Sequence, residues 1–291
     1  PPVVVETSQV TQLVAGGLHN CSRHRDQTVS CWGSSINGRR GVPGFNGDHP
    51  VAVENLSQVV ELVAGWSYTL ARTTGQDQVS TVYGWGDFSG YGREESILEE
   101  PAAITELPPT QSMAAARSHA CALLADHRVV CWGDNTFNQL GVLSDFQPLE
   151  PANNGDPNWV DGRVIPGLSD THQVHAGEGF TCSIDAHAAV RCWGDNGIGQ
   201  LGVLSQDNLA FEPIGGLRAV ALATGRASAC AISEQGDVLC WGNNATGQLG
   251  DGTRINRNEP TLVAGLPAMA QVAAGSGHTC ALAESGQVFC W

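Results

Sequence analysis

Long apolar runs are missing from this 291-residue chain: nothing approaches the roughly 20 residues a membrane-spanning helix needs. No membrane insertion is therefore expected. Basic side chains are scarce, 14 against 29 acidic ones, and the formal charge of −15 repels phosphate backbones and anionic lipid head groups. Nucleic acid is thus excluded as an expected partner. The opening Pro1-Pro2-Val3-Val4-Val5 lacks the charged and apolar regions of a signal peptide, as expected of a mature or trimmed chain. Also absent are a nucleophile elbow, a phosphate-cradling glycine loop, a lone reactive cysteine and any clustered Cys-x-x-Cys. The expectation is a protein that is not an enzyme, with no catalytic residue, cofactor or metal.

What is abundant points to β-structure. Hydrophobic residues make up 42% of the chain, and 36 glycines are scattered among Val, Leu and Ala, which suits short strands joined by tight turns. Trp32, Trp85, Trp132, Trp193 and Trp241 each precede a glycine, and Trp291 occupies the sixth such place, at intervals of 53, 47, 61, 48 and 50 residues. A small-residue segment lies upstream of each mark, at 13–16, 62–65, 114–116, 174–177, 222–225 and 272–275. Within a repeat, 280–290 alternates about a turn at Glu284-Ser285-Gly286, with Gly286 free to take the left-handed conformation. A further short strand is expected to follow Pro50, Pro101 and Pro260. That makes four strands per repeat, the content of one propeller blade. The expected fold is an all-β propeller in a single domain, 1–291, with repeats at about 6–54, 55–106, 107–167, 168–216, 217–265 and 266–291.

The pattern Val-Ala-Ala-Gly-x-x-His-x-Cys-Ala-Leu … Val-x-Cys-Trp-Gly-x-Asn-x-x-Gly-Gln-Leu-Gly recurs over nearly the whole chain, best seen when 274–291 is joined in register to 241–250. It resembles the regulator-of-chromosome-condensation repeats. That resemblance implies a propeller, usually of seven blades, where six repeats are visible here. Two arrangements follow: six blades with residues 1–5 completing the last one, or seven with one repeat outside this chain. Cysteine-paired versions of the repeat resemble exported bacterial proteins.

The ten cysteines fall at 21 and 31, 121 and 131, 182 and 192, 230 and 240, and 280 and 290, always ten apart. The second repeat lacks both at once, with Leu70 and Gly84 in the aligned places. Facing residues on antiparallel strands lie about 4.5–5.5 Å apart, which suits a disulfide across each hairpin. The expected bridges are Cys21–Cys31, Cys121–Cys131, Cys182–Cys192, Cys230–Cys240 and Cys280–Cys290, and they imply an oxidising compartment, secreted or at a cell surface. Metal binding and buried reduced thiols are the competing readings.

His19, His119 and His278 share one repeat position, but Phe180 occupies it elsewhere, so packing and hydrogen bonding outweigh metal ligation. Asp134-Asn135, Asp195-Asn196 and Asn243-Asn244 read as Asx turns, because no later acidic residue completes a calcium loop. Asn20, Asn55 and Asn244 head glycosylation triplets. The loops after the Trp-Gly marks, 34–49, 87–100, 134–159, 195–212 and 243–259, vary most and are where binding is expected. Trp66, Phe88, Tyr91, Phe137, Phe146 and Trp159 are the candidate partner contacts, Trp66 and Trp159 foremost as the two tryptophans outside the repeat marks. Function is expected to be a non-catalytic extracellular interaction or structural scaffold that binds a protein, a cell-surface or matrix macromolecule, or itself. The resemblance also admits an inhibitor of a secreted enzyme and, more remotely, guanine-nucleotide exchange; a propeller-fold lyase or glycosidase would need paired carboxylates in a pocket.

Overall fold

A computed structural model describes residues 9–44, 46–75, 80–88, 97–104, 107–142, 163–204 and 211–291. These residues form six antiparallel sheets, each a meander in chain order. The first holds β1 (Val10–Ala15), β2 (His19–His24), β3 (Val29–Gly33) and β4 (Gly47–Ala52), and the second β5 (Val59–Ala64), β6 (Tyr68–Thr74), β7 (Ser80–Asp87) and β8 (Ile97–Ile104). The third holds β9 (Thr110–Ala115), β10 (His119–Leu124), β11 (Val129–Gly133) and β12 (Arg163–Val164), and the fourth β13 (Thr171–Gly177), β14 (Phe180–Asp185) and β15 (Val190–Gly194). The fifth holds β16 (Ala219–Thr224), β17 (Ser228–Ser233), β18 (Val238–Gly242) and β19 (Arg257–Leu262), and the sixth β20 (Met269–Ala274), β21 (Thr279–Ala283) and β22 (Val288–Cys290). The fold is all-β, and the sheets are the blades of a β-propeller. Four blades carry the expected four strands; the fourth and sixth have three among the described residues. The strand expected at Pro2–Val5 lies outside those residues.

Local chemistry explains the turns. Gly236 and Gly286 take positive φ at the same hairpin position, as expected. Gln27, His127 and Ala188 hold that conformation in other blades, at roughly 1–2 kcal/mol of strain for an L side chain, which the ladders on either side must offset. The outer strands differ from expectation. They begin before Pro50, Pro101 and Pro260 rather than after them, and each proline falls in the register shift between the third and fourth strands. A bulge on an edge strand is where a residue without an N–H fits. The first strand of every blade also carries a register shift near its start.

The chain divides into two compact units. The first comprises Pro1–Asp126, Val130–Asp134 and Pro148–Arg163, the second His127–Val129, Asn135–Gln147 and Val164–Trp291. Inside each unit the core lies between successive blades. In the first, Cys21, Val29, Cys31, Val53 and Leu56 of one blade bury against Val59, Leu62, Ala71 and Trp85 of the next. In the second, Cys182, Val190, Cys192, Ile214 and Leu217 meet Ala219, Leu222, Ala231 and Trp241, and Val238, the Cys230–Cys240 pair and Val263 meet Met269, Ala281 and Trp291. A blade thus has a trailing face, built on its cysteine pair and the valine two residues before the second cysteine. It also has a leading face, built on the first-strand leucine position and the repeat tryptophan.

Disulfides join all five cysteine pairs, with α-carbons 4.0–4.1 Å apart. In the second blade Leu70 faces Gly84 across the same ladder position. A Cβ on Gly84 would lie 2.9 Å from the Phe88 ring and 3.2 Å from Leu70, so the phenyl ring and the isobutyl group fill the volume a disulfide takes elsewhere.

Candidate functional site

The loops that follow Trp132, Trp193 and Trp241 start from a repeated turn that anchors them. Trp193, Trp241 and Trp291 donate their indole N–H, at 3.0 Å, to the backbone carbonyls of Gln139, Gln200 and Gln248 in the preceding repeat. Each of these glutamines accepts, through its side-chain oxygen, the amide N–H two residues earlier: Phe137, Ile198 and Thr246. Asn135, Asn196 and Asn244 close the turn by accepting the amides of Leu140, Leu201 and Leu249. Glycine ends the motif for a steric reason: at Gly250 (φ 67°) a Cβ would stand 2.7 Å from the Trp291 indole nitrogen. The glycine after tryptophan is equally constrained, since a Cβ on Gly194 (φ 108°) would lie 2.5 Å from the Gly179 carbonyl oxygen.

The Asx reading holds for Asp195 and Asn243, the first residues of their pairs, which accept the amides of Gly197 and Ala245. The second residue does more than the sequence suggested. Asn244 is buried, and its amide donates to Asp251 and to the carbonyls of Thr253 and Ile255, so the side chain heading one glycosylation triplet is engaged inside its loop. Asp251 organises the same loop. Burial opposes its ionisation, but the Thr253 hydroxyl and amide, the Arg257 guanidinium and Asn244 outweigh that and hold its carboxyl far below the usual range.

The shared histidine position is a packing position in the first unit. His19 is buried and pairs with the Thr69 hydroxyl at 2.8 Å. Burial, then the Arg39 charge, lowers its pKa to about 4; burial does the same for His119 against the pull of Asp134. Both are neutral at pH 7. His278, in the sixth blade, is exposed. Among the described residues no group of three or more His, Cys, Asp or Glu is placed to hold a metal ion, and no helix is long and apolar enough to cross a membrane.

The aromatic candidates separate. Trp66 is 51% exposed at the turn between β5 and β6. Its indole lies over the backbone of Gly17, where a Cβ would come within 2.7 Å of the ring, and the Arg117 guanidinium stands 5.3 Å from its centroid. Phe137 is 44% exposed beside Gly179, where a Cβ would stand 3.2 Å from the ring. Phe88 is only 6% exposed and packs on Tyr68 with ring centroids 5.3 Å apart; it fills the core where the disulfide is missing and has no surface to offer a partner. Tyr91, Phe146 and Trp159 lie outside the described residues. Arg117 was not singled out from sequence, although alignment of the repeats puts Gly17, Trp66 and Arg117 at one position in successive blades.

Profiles of the regulator of chromosome condensation (RCC1) repeat match residues 235–282, and also 111–139 and 219–248. Protein pim1 of Schizosaccharomyces pombe is 26% identical over 216 residues, 66% of this chain and 38% of that protein. The ultraviolet-B receptor UVR8 of Arabidopsis thaliana is 29% identical over 205 residues, 68% of this chain and 44% of the receptor. The chain therefore spans less than half the length of these two relatives. Among solved structures, Prp20p from Saccharomyces cerevisiae superposes with a TM-score of 0.79 at 21% identity, covering 97% of this chain and 71% of that one. Human WBSCR16 gives 0.80 at 21%, covering 94% and 72%. The chain thus carries repeats of the RCC1 type on a fold shared with these solved propellers.

Proposed function

We propose that this chain is a non-catalytic interaction or structural scaffold, secreted or at a cell surface, that binds a macromolecular partner through the loop ends of its blades. The observation that carries this reading is Trp66, a large half-exposed aromatic held between the Gly17 backbone and the Arg117 guanidinium. A side chain already fixed in place loses little rotamer entropy on binding, and tryptophan and arginine are the residue types that dominate binding energy. Phe137 offers a second contact in the other unit, and Tyr91, Phe146 and Trp159 belong to the same class of loops by sequence. The five disulfides support an oxidising compartment. Prp20p, which shares the fold, was characterised for binding to Gsp1p and histones, so the scaffold can serve recognition of proteins. The charge of −15 favours a partner with a basic contact surface and an affinity that falls with salt.

The test is capture from secreted and cell-surface fractions on the immobilised oxidised protein, followed by affinity measurement on the identified partner. Trp66→Ala and Phe137→Ala should each weaken binding by about tenfold or more, with the five disulfides and the melting temperature retained. Wild-type affinity in both variants would move the contact surface away from these loops.

A further inference from the structure

Of the three glycosylation triplets, the fold leaves one able to carry a glycan. An Asn-x-Ser/Thr triplet works as an acceptor where a surface loop presents the amide and the hydroxyl together. Asn244 is buried, and a sugar on its nitrogen would remove the donor that ties Asp251, Thr253 and Ile255 into one loop. Asn20 lies inside a sheet, paired with Ala15 on one side and Trp32 on the other, with Cys21 in a disulfide and Ser22 buried. Asn55 differs from both. It stands in the turn between β4 and β5, and Asn55 and Ser57 are both exposed.

The equivalent turns of other blades show how much room there is. Val53-Glu54-Asn55-Leu56, Ile165-Pro166-Gly167-Leu168, Ile214-Gly215-Gly216-Leu217 and Val263-Ala264-Gly265-Leu266 follow one pattern, with an aliphatic residue and a leucine packed inward around two exposed residues. The third residue takes positive φ each time, 59° at Asn55 against 82°, 73° and 82° at the glycines. Asparagine tolerates that conformation, so the backbone alone admits Asn55. The backbone does not ask for a hydroxyl two residues on, because Arg218 and Pro267 stand where Ser57 does. A Cβ at Gly167, Gly216 or Gly265 would meet no atom within 4 Å. The position therefore aims its side chain into open space, where a sugar has room.

We propose that Asn55 is an N-glycosylation site, modified by oligosaccharide transfer from a lipid-pyrophosphate donor. The Asn55 amide nitrogen bonds to the anomeric carbon of the sugar as the bond from that carbon to the pyrophosphate oxygen breaks. The lipid pyrophosphate leaves with the electron pair, the amide gives up one proton to it, and nothing is oxidised or reduced. This proposal rests on the secreted or cell-surface reading above, because such transfer belongs to exported chains. Asn55 precedes β5 and Trp66 follows it, so the glycan stands a strand length, roughly 17–20 Å, from the proposed contact face and leaves that face free.

The test is peptide mass mapping of the oxidised chain secreted by a glycosylating eukaryotic cell line, before and after enzymatic glycan removal. One glycan is expected, on Asn55, with Asn20 and Asn244 bare. Asn55→Gly and Ser57→Ala should each abolish the mass increase. Both should melt with the deglycosylated wild type, since glycine serves at three equivalent turns. Trp66→Ala should be modified like the wild type. An oxidised secreted chain bare at Asn55, a glycan on Asn20 or Asn244 in its place, or a glycan that persists in Ser57→Ala would overturn the proposal. A chain that stays inside the cell without its disulfides would instead count against the exported reading. Purified oligosaccharyltransferase with a lipid-linked oligosaccharide then decides the site on the oxidised chain: transfer to Asn55 supports the proposal, and its absence overturns it.

Discussion

At the residue scale, buried groups held in one protonation state make acid the informative variable. His19 and His119 have folded pKa values near 4 against about 6.5 for a free imidazole, so the unfolded chain takes up protons first. Their contribution to stability is complete above about pH 6.5 and is lost as pH falls to about 4. Asp251 acts lower, since its depressed carboxyl contributes fully above the ordinary carboxylate range and fails only beneath it. Denaturant midpoints measured at steps from pH 7.5 to pH 3 should therefore decline first between 6.5 and 4. His119→Gln should flatten that step, and a pH-independent midpoint in the wild type would contradict neutral burial.

At the element scale, the indole bonds of Trp193, Trp241 and Trp291 to the preceding glutamine carbonyls make these tryptophans links between blades. Trp193→Ala removes a buried ring and leaves the Gln139 carbonyl without that donor, which should cost about 3–5 kcal/mol by chemical denaturation. Phe88→Ala should cost a similar amount, because its ring stands in for a disulfide at Gly84. Wild-type stability in Phe88→Ala would show that Leu70 alone fills the space. The signal was present in the sequence. Joint loss of both cysteines in one repeat leaves a volume that something must occupy, and the nearest large apolar side chain after Trp85 is Phe88.

For the whole molecule, five short covalent loops carry stability that reduction removes. A loop of about 11 residues contributes about 2.8 kcal/mol in the chain-entropy estimate, less where the turn already closes the hairpin. Full reduction should therefore lower the melting temperature well beyond the effect of any single surface substitution. Timed alkylation with peptide mapping reads the order in which the five bridges open. A reduced protein that melts with the oxidised one would remove the case for an oxidising compartment.

Repeat number, hairpin position, cysteine partners and the glycine turns were legible from the sequence alone, because each is decided inside one repeat by side-chain alternation, spacing and local backbone sterics. Only the tertiary structure decided which of the loop aromatics are buried, that Gly17 and Arg117 from neighbouring repeats brace Trp66, and that Asn244 is consumed within its loop. Those outcomes depend on contacts between residues about one repeat apart. A side chain identical in its local setting is core or surface according to whether another blade lies against it, and that neighbour leaves no mark in the residues around it.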